Sequence, residues 1–164
     1  MIAAAMGANV VAVDIDDATL AMAARLGAAV TINAMRSADV AGEIINMTNG
    51  GAHASMDALG STVTCQNSIL CLRALARHVQ VGLMKNRHEH PEIPMGVVVS
   101  CEIDIRGSRG MSPKNYPAVF NMIKSRVVAP KSLIGSELTL EGGPDLLTQM
   151  DQFPGTGVAV ITSF

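Results

Sequence analysis

The chain has 164 residues, a formal net charge of −2, 49% hydrophobic side chains and only 2% aromatic ones. A length of that order sets one domain as the default, and a charged fraction of 16% beside many small aliphatics excludes a disordered chain. The near-neutral balance and the scarcity of stacking rings exclude nucleic acid and an anionic membrane surface as partners.

Met1 to Val13 carries no charge, but it falls short of the ~20 apolar residues that a membrane span needs. It lacks the basic flank of a secretory leader and runs into Asp14, Asp16 and Asp17. Met6-Gly7-Ala8-Asn9-Val10 and Leu26-Gly27-Ala28-Ala29-Val30 share one grammar: a helix tail, a glycine stop, then a β-branched run. Between them Asp16 or Asp17 caps a helix carrying Leu20, Met22, Ala23 and Leu26. The uncharged run Val10 to Val13 reads as a strand buried on both faces.

The alternation continues along the chain. Ser37 to Met47 reads as a helix, Ala54 to Leu59 as a strand ending at Gly60, Thr62 to Leu75 as a helix, and His78 to Leu83 as a strand entering a turn. A looser segment holds His88, His90, Pro91 and Pro94, followed by a strand from Cys101 to Arg106 and a helix from Tyr116 to about Arg126. Beyond Val127 come Pro130, a Gly142-Gly143-Pro144 turn, a short helix and a final strand from Gly157 to Thr162. Strands alternating with helices in this way predict an α/β fold with a doubly wound, mostly parallel sheet. Cys65, Cys71 and Cys101 show neither disulfide nor zinc-site spacing, which suits a reducing compartment, and a cytoplasmic protein is expected.

Asp14 stands at the carboxyl end of a strand, where open α/β sheets bind ligands. In a dinucleotide-binding unit an acid at this place accepts the adenosine ribose hydroxyls and repels a 2′-phosphate, so it favours NAD over NADP. The alternative is that Asp14 caps the following helix with Asp16 and Asp17. The glycine-rich phosphate loop normally lies about 20 residues before such an acid. Counting back from Asp14 runs past Met1, and no Gly-x-Gly-x-x-Gly occurs anywhere in the chain. If Asp14 is the ribose acid, the chain is expected to start inside the first helix, lacking the first strand and the Gly-rich loop.

Met6 to Asp16, Arg25-Leu26-Gly27-Ala28, Val79-Gln80-Val81-Gly82-Leu83 and Ile105-Arg106-Gly107-Ser108 together resemble the zinc-dependent alcohol dehydrogenases of the medium-chain superfamily. The resemblance covers nearly the whole chain. It implies a partial dinucleotide-binding domain over residues 1–127, and over 128–164 a C-terminal segment that in the family returns to the catalytic domain. It implies that Asp14 holds the ribose and that Ala58 and Leu59 lie under the cofactor. Val81, Gly82 and Leu83 would pack beside the nicotinamide, and Ser108 and Arg109 would offer main-chain contacts to its carboxamide. For Ala58 and Leu59 ordinary packing is the alternative, and for Arg109 an exposed surface position.

The family moves a hydride between an alcohol and nicotinamide, assisted by zinc whose ligands lie on the catalytic domain. The resemblance implies NAD as the cofactor; the zinc ligands are not found here, so no metal site and no catalytic residue are expected in this chain, which alone is expected to be inactive. The arginine that in some members reaches the pyrophosphate falls near Ala159 and is missing. His88-Glu89-His90 reads as a solvated loop ahead of a weak metal site. The expected strand order is 3-2-1-4-5-6, so a missing first strand leaves the second and fourth with unpaired edges. Self-association, with the strand around Cys101 to Arg106 pairing across a dimer axis, is the partner expectation. A non-catalytic Rossmann-like nucleotide-binding or assembly module is the alternative function. A zinc-free quinone reductase fits less well, because Asp14 favours NAD.

Overall fold

The computed structural model describes residues 1–152 and 155–164. The chain forms two compact units, one of Met1–Arg36 with Ser112–Phe164 and one of Ser37–Met111.

The first unit opens with α1 (Ile2–Ala5), β1 (Val10–Asp14), α2 (Asp17–Arg25) and β2 (Ala28–Asn33). Asp16 caps α2 by accepting the Thr19 N–H at 2.8 Å, so of the two predicted caps Asp16 takes the role. After α2 the chain reverses at Gly27, whose φ of +104° suits a residue without a Cβ, and a Cβ there would lie 2.9 Å from that of Ala4. β1 and β2 pair in parallel, Asp14 opposite Asn33. The expectation that Val10 to Val13 is buried on both faces is not met: Val13 is 42% exposed and the other three are half-buried. Among the described residues β1 pairs with β2 alone, so within its sheet it is an edge strand.

The second unit holds α3 (Val40–Met47), β3 (Ala52–Asp57), α4 (Thr62–Leu70), β4 (Leu72–Gln80), α5 (Met95–Ser100) and β5 (Asp104–Gly107). The sheet order is β3-β4-β5, parallel throughout. The core packs Cys65 and Ile69 of α4 against Leu72, Ala76 and Ile103, with Val97, Val98 and Cys101 beside them. The helix expected to reach Leu75 ends at Leu70 instead. The Ala52 N–H donates to the Cys71 carbonyl at 2.9 Å, drawing the chain into the sheet at buried Cys71 and Leu72. Met95 to Ser100, expected as a loose segment, is helical because Val97 and Val98 are drawn onto this core, which overrides their β preference.

The first unit resumes with α6 (Tyr116–Lys124), β6 (Ile134–Thr139), α7 (Gly143–Gln149) and β7 (Val158–Ser163). The predicted short helix and final strand are α7 and β7. β6, at a place where the sequence reading expects no strand, exists through its parallel ladder with β7. Every strand pair is parallel, as the α/β reading requires. The pairings β1–β2 and β3–β4–β5 are those expected of strands two to three and four to six. Among the described residues no strand lies against the other edge of β1 or of β3. No helix among them is long and apolar enough to cross a membrane.

Candidate functional site

In the second unit the carboxyl ends of β3, β4 and β5 stand in register, with Asp57 opposite Gln80 and Gln80 opposite Gly107. The predicted residues follow these ends directly: Ala58 and Leu59 after β3, Val81 to Leu83 after β4, Ser108 and Arg109 after β5. The Ser108 N–H donates to the Gln80 carbonyl at 2.9 Å, which extends the ladder by one rung. Arg109 is exposed, and no salt bridge involving it occurs among the described residues.

The turn after β3 is built by Asp57. Its carboxylate Oδ1 accepts the N–H groups of Leu59 and Gly60 at 2.9 and 3.1 Å, as an Asp before a tight turn commonly does. Ser61 and Thr64 then start α4 with a reciprocal capping box. The turn after β4 hangs from the same residue, because the Asp57 carbonyl accepts the N–H groups of Val81 and Gly82 at 2.9 and 2.8 Å. The two turns meet backbone to backbone: a Cβ on Gly60 would lie 2.5 Å from the Leu83 carbonyl oxygen. They present Leu59, Val81 and Leu83 to solvent, at 61%, 37% and 53% exposure. Together these side chains make an apolar lip over the two turns.

Three side chains that the sequence reading left without a role lie beneath this lip. Asp57 and His78 are buried, at 3% and 1% exposure, and Gln80 is half-buried. Gln80 Nε2 donates to Asp57 Oδ2 at 2.7 Å and to the Gly82 carbonyl at 3.0 Å. Its Oε1 therefore faces His78 Nε2 at 3.2 Å, which makes that nitrogen the protonated one. His78 Nδ1 accepts from the hydroxyls of Ser55 and Ser68 at 3.3 and 3.1 Å. The available signal was His78 and Gln80 at strand spacing, two polar residues on one face of a central strand.

In the first unit Asp14 stands at the carboxyl end of β1. Its Oδ1 accepts the N–H groups of Ile15 and Asp16 at 2.7 and 3.0 Å, while Oδ2 has no hydrogen bond among the described residues. Helix capping falls to Asp16, whose carboxyl the Thr19 N–H and hydroxyl hold below its ordinary value. Asp17 accepts from Asn33 Nδ2 at 2.7 Å and pairs with Arg36 at 2.5 Å. Asp14 thus shapes the turn through one carboxylate oxygen.

His88, expected on a solvated loop, is half-buried against the start of α4, where the Thr62 N–H approaches its Nδ1 at 3.2 Å. Burial pushes the Cys71 thiol up to about 11, and burial with the nearby Asp57 charge raises that of Cys65. No three His, Cys, Asp or Glu side chains among the described residues converge on a metal site. These residues do not fit a zinc centre.

Residues 1–125 match the family described as zinc-binding dehydrogenase. The chain is 30% identical over 145 residues to the alcohol dehydrogenase of Moraxella sp. (strain TAE123), an alignment covering 88% of this chain and 34% of that protein. It is 28% identical over 142 residues to the D-arabitol-phosphate dehydrogenase of Enterococcus avium, covering 85% and 40%. The crystal structure of an NAD-dependent alcohol dehydrogenase superposes with a TM-score of 0.86 at 22% identity, over 99% of this chain and 46% of that one. The chain therefore spans less than half the length of these relatives while sharing their Rossmann-like α/β fold. With residues 1–125 matched and each strand pair parallel, the chain belongs to the zinc-binding dehydrogenase family.

Proposed function

We propose that this chain is the NAD(H)-binding portion of an alcohol dehydrogenase-type oxidoreductase. The observation that carries the reading is the family match over a segment whose strand ends, at Asp14 and at the turns after β3 and β4, are the expected cofactor positions. Asp14 takes the adenosine ribose through Oδ2 and disfavours a 2′-phosphate. Ala58, Leu59, Val81, Gly82 and Leu83 form the surface beneath and beside the nicotinamide, and the main chain of Ser108 and Arg109 meets its carboxamide. Bound there, the nicotinamide supplies the carbon that exchanges hydride with an alcohol. Residues 1–127 act as the partial dinucleotide-binding domain and 128–164 as the segment returning to a catalytic domain.

The free thiols Cys65, Cys71 and Cys101 support a reducing, cytoplasmic setting. The outer edge of β5, which among the described residues pairs only with β4, supports self-association as a dimer. A chain that sediments as a monomer across micromolar concentrations counts against the dimer.

The function is tested by calorimetric titration of the chain with NAD, and with NADP as the control. Binding that prefers NAD and weakens in Asp14→Ala is the expected result. No heat at millimolar cofactor would leave a Rossmann-like assembly module as the function.

A further inference from the structure

The pair of buried Asp57 and half-buried Gln80 does more than fill the space under β3 and β4. Four main-chain N–H groups from both turns end on Asp57: Leu59 and Gly60 on its carboxylate, Val81 and Gly82 on its carbonyl. Gln80 closes the loop, one amide group bridging the Asp57 carboxylate and the Gly82 carbonyl. A leucine could fill the volume of Gln80, but it would leave Asp57 Oδ2 and the Gly82 carbonyl without this donor. Buried polar groups are held in place by such bonds, and a partly satisfied network is costly. His78 below orients the glutamine amide by donating to its Oε1, so the donor end points at the turns.

We propose that Asp57 and Gln80 are a positioning brace that locks the turn after β3 to the turn after β4 and sets the spacing of Leu59, Val81 and Leu83 for the nicotinamide half of the dinucleotide. The ligand assignment rests on the proposed function; the lock between the turns rests on the hydrogen bonds alone. Both residues act through the backbone they hold and neither is a catalytic residue.

The test compares Gln80→Leu with Ser68→Ala, which removes a hydroxyl from the far side of His78 and touches neither turn. Amide hydrogen exchange of the full chain should accelerate about tenfold at Leu59, Gly60 and Gly82 in Gln80→Leu, the scale of one lost buried hydrogen bond, and stay unchanged in Ser68→Ala. NADH should bind about tenfold more weakly to Gln80→Leu, while ADP-ribose, which lacks the nicotinamide, binds as before. Should Gln80→Leu not fold, Gln80→Asn retains the polarity, cannot span both acceptors, and is read in the same way. Exchange that rises at neither turn, or equal weakening of NADH and ADP-ribose, overturns the brace as a positioning device. A wild-type chain that binds neither ligand overturns the dinucleotide reading, and exchange then decides the lock by itself.

Discussion

A methyl group on Gly82 would lie 2.3 Å from the amide nitrogen of Gly60, so the turns after β3 and β4 touch through their main chains. No side chain separates them, and no flexible atom can yield.

Gly82→Ala should therefore force the turns apart and destabilise the chain by about 1–3 kcal/mol, the scale of overpacking a tight interior. Gly107 ends the neighbouring strand and has open space where its Cβ would be. Gly107→Ala should stay within about 0.5 kcal/mol of wild type. Urea denaturation of both variants makes the comparison, and equal midpoints would show that the turns separate freely.

Asp104 binds the guanidinium groups of Arg77 and Arg106 at 2.8 and 3.0 Å. The Arg77 hydrogen bond first, then that of Arg106 and the charges of both, hold its carboxyl below the ordinary value of 3.8. The folded state favours the carboxylate, so this contribution is present above about pH 4 and is lost as the pH falls through the lowered value. The pair is exposed and screened, so the effect is small and shrinks with salt. In low salt, Asp104→Asn should flatten the acid limb of the denaturation midpoint against pH. Parallel acid limbs for variant and wild type would refute it.

The thiols should separate by reactivity. Cys71 is buried with its thiol pushed up to about 11, and Cys65 is buried and raised in the same direction, whereas Cys101 is only half-buried. Iodoacetamide at about pH 8 should label Cys101 well ahead of the other two, because the accessible thiolate is the reacting form. Peptide mass spectrometry follows the order, and labelling of Cys71 as fast as Cys101 contradicts the packing.

Much of the fold was legible because its signals are local. Gly27 stops a helix, Val10 to Val13 extends as a strand, Asp16 caps α2, and Pro144 stands in the first turn of α7. Each depends on neighbours within a turn of the chain. β6 and α5 were not legible for the opposite reason. Ile134 to Thr139 becomes a strand by pairing with Val158 to Ser163, and the valines of α5 turn helical only where Cys65, Ile69 and Ile103 offer them a surface.

The candidate site divides along the same line. The sequence by itself determined the family, the acid at the end of β1, and the turns that place Leu59, Val81 and Leu83 at strand ends, since motif order and glycine spacing are properties of the chain. Only the tertiary structure decided that Asp57 and Gln80 meet and that Gly60 and Gly82 touch. Those contacts need β3 and β4 set side by side in one register, and a register is fixed by long-range pairing and burial.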